Sequence, residues 1–208
     1  RLVAYREDLR AKEPNWFNAP VPAFGDLSAA VLVVGLAPGV RGANRTGRPF
    51  TGDFAGDLLY GSMLDFGMAE GEFDRRPDDG LRLKTIRVTN AVRCVPPENK
   101  PDGAEQKACR PFLVSEIAAM PNLQAILALG KIAHDAVLRT LGFKLSSAPF
   151  AHAARHQLDW PDTMLPKAAS KLQLVDSYHC SRYNQNTGRL TPEMFRAVFA
   201  DLAELIAS

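Results

Sequence analysis

The chain has 208 residues, of which 46% are hydrophobic and 23% are charged, as is typical of a globular domain. Its net charge of +2 excludes a globally basic surface, so any nucleic-acid partner must be held by local basic patches. No apolar run is long enough to cross a bilayer, and three cysteines do not make a secreted disulfide framework, so we expect a cytoplasmic protein without a membrane partner.

Strand and helix signals alternate along the chain. Apolar or β-branched runs predict strands at residues 31–34, 86–90, 123–129 and 172–176. Apolar periodicity and end signals predict helices at residues 1–10, 56–66, 102–117, 131–141 and 192–206. This alternation indicates an α/β fold, a three-layer α/β/α sandwich with a central, mainly four-stranded parallel sheet. We expect one domain over residues 1–208, with an acidic surface loop at 70–80 and no clear element between 142 and 171.

A glycine-rich loop, residues 35–53, follows the first strand. It carries Arg41, Arg45 and Arg48, and its spacing matches neither the dinucleotide-binding nor the Walker fingerprint. Glycines let the backbone approach a ligand closely, and loops of this length inside compact domains are usually functional. The alternative is a connection that carries no function, with its arginines on a solvated surface.

Polar or aromatic side chains follow three of the predicted strands. Phe50 in the loop offers a flat apolar face, and Asn90 at the end of the second strand offers one donor and one acceptor. His179 after the fourth strand can donate a hydrogen bond or act as an acid, and Asp53 can position water or stabilise a cation. Ser181 lies near His179, but no nucleophile elbow surrounds it. Because ligands bind beyond the carboxyl ends of parallel strands, we expect these groups to form one site.

Three motifs in this order resemble those of the family 5 uracil-DNA glycosylases. They are residues 35–53 (GLAPGVRGANRTGRPFTGD), 89–101 (TNAVRCVPPENKP) and 179–191 (HCSRYNQNTGRLT). The resemblance covers essentially the whole chain. It implies an enzyme that flips uracil, and other deaminated bases such as hypoxanthine, out of DNA and hydrolyses the N-glycosidic bond to leave an abasic site.

The resemblance also implies roles for individual residues. Phe50 would stack on the base, Asn90 would pair with its polar edge, and His179 would stabilise the departing base anion. The candidate catalytic residues are His179, Asp53 and Asn44, with Asp53 near the water or the sugar cation. Backbone and side chains lining the base pocket would be those of Gly35, Leu36, Ala37 and Gly39. Contacts to DNA would come from Arg41, Arg45, Ser181, Arg182, Asn184 and Arg189, with residues 181–187 as a loop that wedges the duplex.

The family also carries a 4Fe-4S cluster on four cysteines, and Cys94 and Cys109 stand where two of these ligands are expected. The other two lie in relatives just upstream of the segment that begins here at Arg1, so two of the four expected ligands are absent from the sequence. Cys180 is not counted as a ligand. Two widely spaced cysteines taken alone are more commonly buried free thiols.

DNA containing uracil or other deaminated bases is the expected partner, and we expect a monomer. Two other functions stay open from the residues alone. One is a nucleic-acid-binding module that kept the fold without catalysis, and the other is a hydrolase of free nucleosides. The loop arginines favour a polymer over a free nucleoside.

Overall fold

The computed structural model describes residues 1–164 and 167–207. The described strands are β1 (Val31–Gly35), β2 (Ala69–Glu70), β3 (Arg82–Leu83), β4 (Ile86–Asn90), β5 (Ala125–Leu129), β6 (Arg155–Leu158) and β7 (Leu172–Ser177). The described α-helices are α1 (Leu2–Lys12), α2 (Ala43–Thr46), α3 (Ala55–Asp65), α4 (Gly103–Ala118), α5 (Lys131–Thr140), α6 (Arg182–Asn186) and α7 (Pro192–Ala207). Short 3-10 turns lie at Pro97–Asn99, Leu145–Ser147 and Asp162–Met164.

The central sheet has the strand order β4-β1-β5-β7-β6. The first four strands in that order are parallel, which confirms the predicted parallel sheet, and β6 runs antiparallel to β7 at the edge. The sequence did not predict β6, because three of its four residues are at least partly exposed and the strand therefore has no apolar run. A separate pair, β2 and β3, brackets the predicted acidic surface loop.

Each face of the sheet carries its own hydrophobic core. Val31 and Val33 of β1 face one core, built with α3 and α7, whereas Leu32 and Val34 face the other, built with α4 and α5. Strands that are buried on both faces explain the continuous apolar runs in the sequence. The three-layer α/β/α sandwich is therefore confirmed.

The helix ends follow from their local sequence. Asp102 and Glu105 form the predicted capping box of α4, and the Thr191 hydroxyl accepts from the Met194 N–H at the start of α7. Residues 182–186, predicted as part of a loop, form the short helix α6 with Ser181 as its N-cap. None of the helices in the described part of the chain has the length and apolar character needed to cross a bilayer.

Candidate active site

A cavity of about 700 Å³ opens where β1 and β4 end and where the segment after β7 begins. It brings together most of the side chains and backbone predicted to form the site: Leu36, Ala37, Gly39, Arg41, Phe50, Asp53, Asn90, His179, Ser181 and Arg182. The parallel sheet causes this convergence, because the carboxyl ends of its strands share one edge. Phe54 and Asn99 also line the cavity and were not predicted, although both lie inside or next to the recognised motifs.

Gly35, at the end of β1, packs directly against Asn90 and Phe50, two residues that line the cavity. A Cβ at this position would lie 2.4 Å from Asn90 Oδ1 and 2.6 Å from Phe50 Cζ. Only glycine lets the amide and the aromatic ring approach the strand end so closely. Phe50 has a φ of 52°, a left-handed conformation that costs free energy in a non-glycine residue and is held by its surroundings. Tyr60 helps to hold it by donating its hydroxyl hydrogen to Pro49 O at 2.5 Å.

Asn90 presents a free polar edge to the cavity. Its side chain is 6% exposed and ends β4, and its backbone pairs in register with Gly35. Within residues 1–164 and 167–207, the amide group has no hydrogen-bond partner. A nearly buried amide without a partner is costly, so its donor and acceptor are available to a ligand that supplies both.

The Asp53 carboxylate bridges the start of α3 and the glycine-rich loop. Its Oδ1 accepts from Ala55 N at 3.1 Å, and its Oδ2 lies so close to Gly42 that a Cβ there would be 2.2 Å away. Burial raises the pKa of Asp53, although backbone N–H groups of Ala55 and Gly56 act in the opposite direction. The carboxylate is thus fixed in place at the cavity wall.

His179 faces the Phe50 ring, with 5.9 Å between ring centroids and 30° between ring planes. The side chain is open to the cavity but enclosed by protein on its other sides, and this burial lowers the pKa of His179 to about 4. The imidazole is therefore neutral near pH 7, and it can donate one hydrogen bond without carrying charge. Asn184 steadies the segment by donating from Nδ2 to His179 O at 2.8 Å.

Four arginines predicted to contact DNA are exposed around this face: Arg41, Arg45, Arg182 and Arg189. The Arg182 guanidinium lies 4.9 Å from the Phe54 ring centroid, and that of Arg189 lies 4.6 Å from the Tyr178 ring centroid. Arg45 Nε donates to Arg41 O at 2.8 Å. These contacts orient the guanidinium groups without neutralising them, so their charge stays available to an anionic partner.

Two residues of the glycine-rich loop serve the interior instead of the surface. Arg48, grouped with the loop arginines in the sequence, is buried and forms a bidentate ion pair with Asp79 at 2.7 and 2.8 Å, so it does not belong to a basic surface patch. Asn44, predicted as catalytic, does not line the cavity; it is fully buried and donates from Nδ2 to Asn18 Oδ1 at 2.9 Å. Asn44 is thus placed to brace the loop.

Ser181 and Asn184 lie at the start of α6. The Ser181 hydroxyl accepts from Asn184 N at 3.3 Å and caps the helix, while the Asn184 amide holds the carbonyl of His179. Both predicted DNA contacts are therefore engaged in organising the segment after β7. Ser181 also reaches the cavity wall, whereas Asn184 does not.

The two cysteines predicted as cluster ligands lie near one another. The charge of Cys94 contributes to the raised pKa of Cys109, whose main cause is burial, and Arg6 donates to Cys94 Sγ at 3.2 Å. No group of three or more His, Cys, Asp or Glu residues suited to a metal ion occurs among residues 1–164 and 167–207. Cys180 lies in the core beneath β7. The described residues thus supply two of the four thiolates that the predicted cluster needs, those of Cys94 and Cys109.

Comparisons with known proteins show which family the chain is similar to. The family model described as the uracil DNA glycosylase superfamily matches residues 22–203. The type-5 uracil-DNA glycosylase of Thermus thermophilus is 42% identical over 99% of this chain and 91% of that protein. That of Mycobacterium leprae is 39% identical over 99% of this chain and 89% of that protein. A type-4 uracil-DNA glycosylase of Archaeoglobus fulgidus is 33% identical over 83% of this chain and 73% of that protein.

Proposed function

The chain belongs to the uracil-DNA glycosylase superfamily, and we propose that it is a DNA repair enzyme that removes uracil from DNA. It flips the base out of the duplex, hydrolyses the N-glycosidic bond and leaves an abasic site. The observation that carries this proposal is the convergence of an aromatic ring, a free amide edge and a neutral imidazole in one cavity. The same pocket accepts other deaminated bases that present a similar edge, such as hypoxanthine.

Base recognition falls to Phe50 and Asn90. The Phe50 ring offers a stacking face, and Gly35 lets that ring and the Asn90 amide pack close to the strand end. Uracil presents an N3–H donor beside an O4 acceptor, and the Asn90 amide can accept from the first and donate to the second. Cytosine presents the opposite pattern, so the amide distinguishes the deaminated base from its parent.

The leaving group is stabilised by His179. When the bond from C1′ to N1 breaks, its electron pair leaves with the base, and negative charge develops on the O2 oxygen. A neutral imidazole N–H donates to that oxygen more strongly in the transition state than in the ground state, which lowers the barrier. The pKa of about 4 supports this role of a neutral donor over that of a general acid near pH 7.

Asp53 acts on the sugar side of the bond. Its fixed carboxylate is suited to stabilise positive charge at C1′ or to orient the water whose oxygen bonds to C1′ and whose proton finally reaches the base. Leu36 and Gly39, on the same wall, offer no polar side chain for that task. We assign Asn44 a bracing role, since its backbone N–H donates to Gly39 O at 3.1 Å.

Duplex contacts fall to the rim of the cavity. The exposed arginines Arg41, Arg45, Arg182 and Arg189 bind backbone phosphates, which accounts for a DNA partner despite the low net charge. Ser181 and Asn184 present the α6 segment to the duplex next to the flipped base. Three residues of this set, Arg41, Ser181 and Arg182, also line the cavity.

We further propose that Cys94 and Cys109 supply two ligands of a 4Fe-4S cluster. Their proximity and partial exposure fit two thiolates on one cluster, and no third ligand stands beside them among residues 1–164 and 167–207. The cluster would brace the segment after Asn90, and no step of the reaction passes through it. Protein purified from its natural source should contain iron and acid-labile sulfide and absorb in the visible; iron-free, fully active protein would contradict the assignment.

The working form in this proposal is a cytoplasmic monomer with one domain over residues 1–208. Cys94, Cys109 and Cys180 form no disulfide among the described residues, as suits a reducing compartment. Light scattering on the protein alone and with an oligonucleotide tests the oligomeric state.

The function is tested with an oligonucleotide that contains one uracil. After incubation with the protein, hot alkali should cleave the strand at the abasic site, and matched strands with hypoxanthine or cytosine rank the bases. Tight DNA binding without cleavage would identify a binding module, and release of uracil from deoxyuridine but not from DNA would identify a nucleoside hydrolase.

A further inference from the structure

The turn before β6 continues the pairing with β7 beyond the end of the strand. The regular register runs from Leu158 opposite Leu172 to Arg155 opposite Val175. Past it, Ala153 N donates to Asp176 O and Asp176 N donates to Ala154 O, both at 2.9 Å. The turn is strained, because Ala153 has a φ of 60°, and such strain persists only where surrounding contacts hold it.

His152, at the tip of this turn, supplies the next hydrogen bond with its side chain. Its Nδ1 accepts from Tyr178 N at 3.2 Å, and its ring stacks on the Tyr178 ring at 5.0 Å between centroids and 14° between planes. The hydroxyl of Ser177 donates to Tyr178 O at 2.9 Å and lies farther from His152 Nδ1, at 3.5 Å. The imidazole nitrogen therefore occupies the position of a backbone carbonyl and extends the ladder to the residue that immediately precedes His179.

A second histidine fixes the same segment two residues earlier. His134 approaches Asp176 Oδ1 through Nδ1 at 2.7 Å and Ala148 O through Nε2 at 2.8 Å. Both partners of His134 are acceptors, so the His134 and Asp176 side chains share a proton. Asp176 is thus held through its side chain by His134 and through its backbone by Ala153 and Ala154. The Tyr178 N–H is the last backbone N–H before His179 that finds an acceptor, and His152 is its only acceptor among the described residues.

We propose that His152 is a positioning residue for excision, which holds the segment that carries His179 by accepting from the Tyr178 N–H. The inference rests on the proposed function of His179. An N–H can be accepted only by an unprotonated nitrogen, so the anchor requires neutral His152 and is released when the ring is protonated. Burial lowers the pKa of His152, which keeps the anchor intact near neutral pH.

The groups around the anchor are few. Arg189 lies over the Tyr178 ring, and Asp176 faces His134 and, at 3.4 Å from Oδ2, His156 Nε2. Burial lowers the pKa of His152, and the backbone of Met194 in α7 acts in the opposite direction by favouring the protonated ring. Asp176 Oδ1 is bonded to His134, while its Oδ2 makes no hydrogen bond among the described residues and lies beside His156. No carboxylate of the described residues forms an ion pair with His152.

The experiment compares His152→Ala with His152→Asn in single-turnover excision of uracil from an oligonucleotide. The Asn Oδ1 stands where Nδ1 stood and accepts at every pH, whereas Ala accepts nothing. Gln157→Ala, an exposed position on the same strand, is the matched control. Rates are measured from about pH 7.5 down to about pH 4.5, with DNA affinity and thermal melting recorded in parallel.

We expect His152→Ala to lose about tenfold in rate near pH 7.5, the equivalent of one hydrogen bond, with little change in DNA affinity. His152→Asn should keep the wild-type rate there, and its rate should fall less steeply than that of wild type as the pH decreases, because only the decline caused by other groups such as Asp53 remains. Equal rates for wild type and His152→Ala, or equal losses in both variants, would overturn the proposal. Wild-type protein that excises no uracil would instead refute the function of the site.

Discussion

Gly35→Ala is the perturbation whose effect follows most directly from the geometry of the cavity. The added methyl would lie 2.4 Å from Asn90 Oδ1 and 2.6 Å from Phe50 Cζ, and each contact is about 1 Å shorter than ordinary van der Waals separation. Both base-binding groups must therefore move, because the Gly35 backbone is held between β4 and the loop. Overpacking of this kind costs about 1–3 kcal/mol of folding stability.

The effect on excision should exceed the effect on folding. A displacement of about 1 Å in groups that orient a substrate costs about 10²-fold in rate, and here two such groups shift together. We expect single-turnover excision by Gly35→Ala to fall about 10²-fold, while the melting temperature falls by about 2–4 °C for each kcal/mol lost.

Gly61→Ala is the matched control for this substitution. Gly61 lies in α3, and a Cβ there meets no atom within 4 Å. The control should gain about 0.5–1 kcal/mol of stability and keep the wild-type rate. Excision by Gly35→Ala within about threefold of wild type, with a stable fold, would show that the base does not rest on Phe50 and Asn90.

Three further outcomes test other parts of the account. Asn90→Asp should lose uracil excision by at least about tenfold while still binding DNA, because a carboxylate faces the base O4 and leaves it without a donor; a rate equal to wild type would mean that the base edge is read elsewhere. Arg182→Gln should lower the slope of log affinity against log salt by about one unit, as one phosphate contact is lost, and an unchanged slope would remove Arg182 from the interface. Asp79→Asn should cost about 3–5 kcal/mol in urea unfolding at about pH 7, because Arg48 is left buried without its carboxylate. Since the pKa of Asp79 is lowered to about 2, this deficit should persist at about pH 4 and shrink only as the pH falls toward 2; a deficit independent of pH would contradict the ion pair.

The predictable parts of this molecule are those that depend on local sequence. Buried parallel strands such as β1 read as continuous apolar runs, and the Asp102 capping box marks the start of α4 without further context. Once the parallel strands are identified, the segments that follow their carboxyl ends can be placed at one edge of the sheet. Phe50, Asn90 and His179 belong to these strand ends and the segments after them. Sheet geometry alone therefore accounts for most of the site.

The unpredicted parts depend on partners distant in sequence. The sequence predicts a surface position for Arg48, because the carboxylate that pairs with it, that of Asp79, lies 31 residues away in the chain. Asn44 is indistinguishable from a catalytic amide until Asn18 is seen to receive its N–H. The neutral state of His179 depends on enclosure by several loops, and no local pattern encodes it. The anchor formed by His152 likewise needs the strained turn at Ala153, in a segment whose sequence gave no strand signal.

The central claim is that a neutral His179 stabilises the departing base in the transition state. Its most direct test is His179→Ala, measured as single-turnover excision of uracil from duplex DNA beside the dissociation constant for the same DNA. We expect a loss of about 10²–10³-fold in rate with DNA affinity nearly unchanged, because the hydrogen bond forms fully only as charge develops on the base. A rate within about threefold of wild type, or a loss that appears in DNA affinity instead of in the rate, would contradict it.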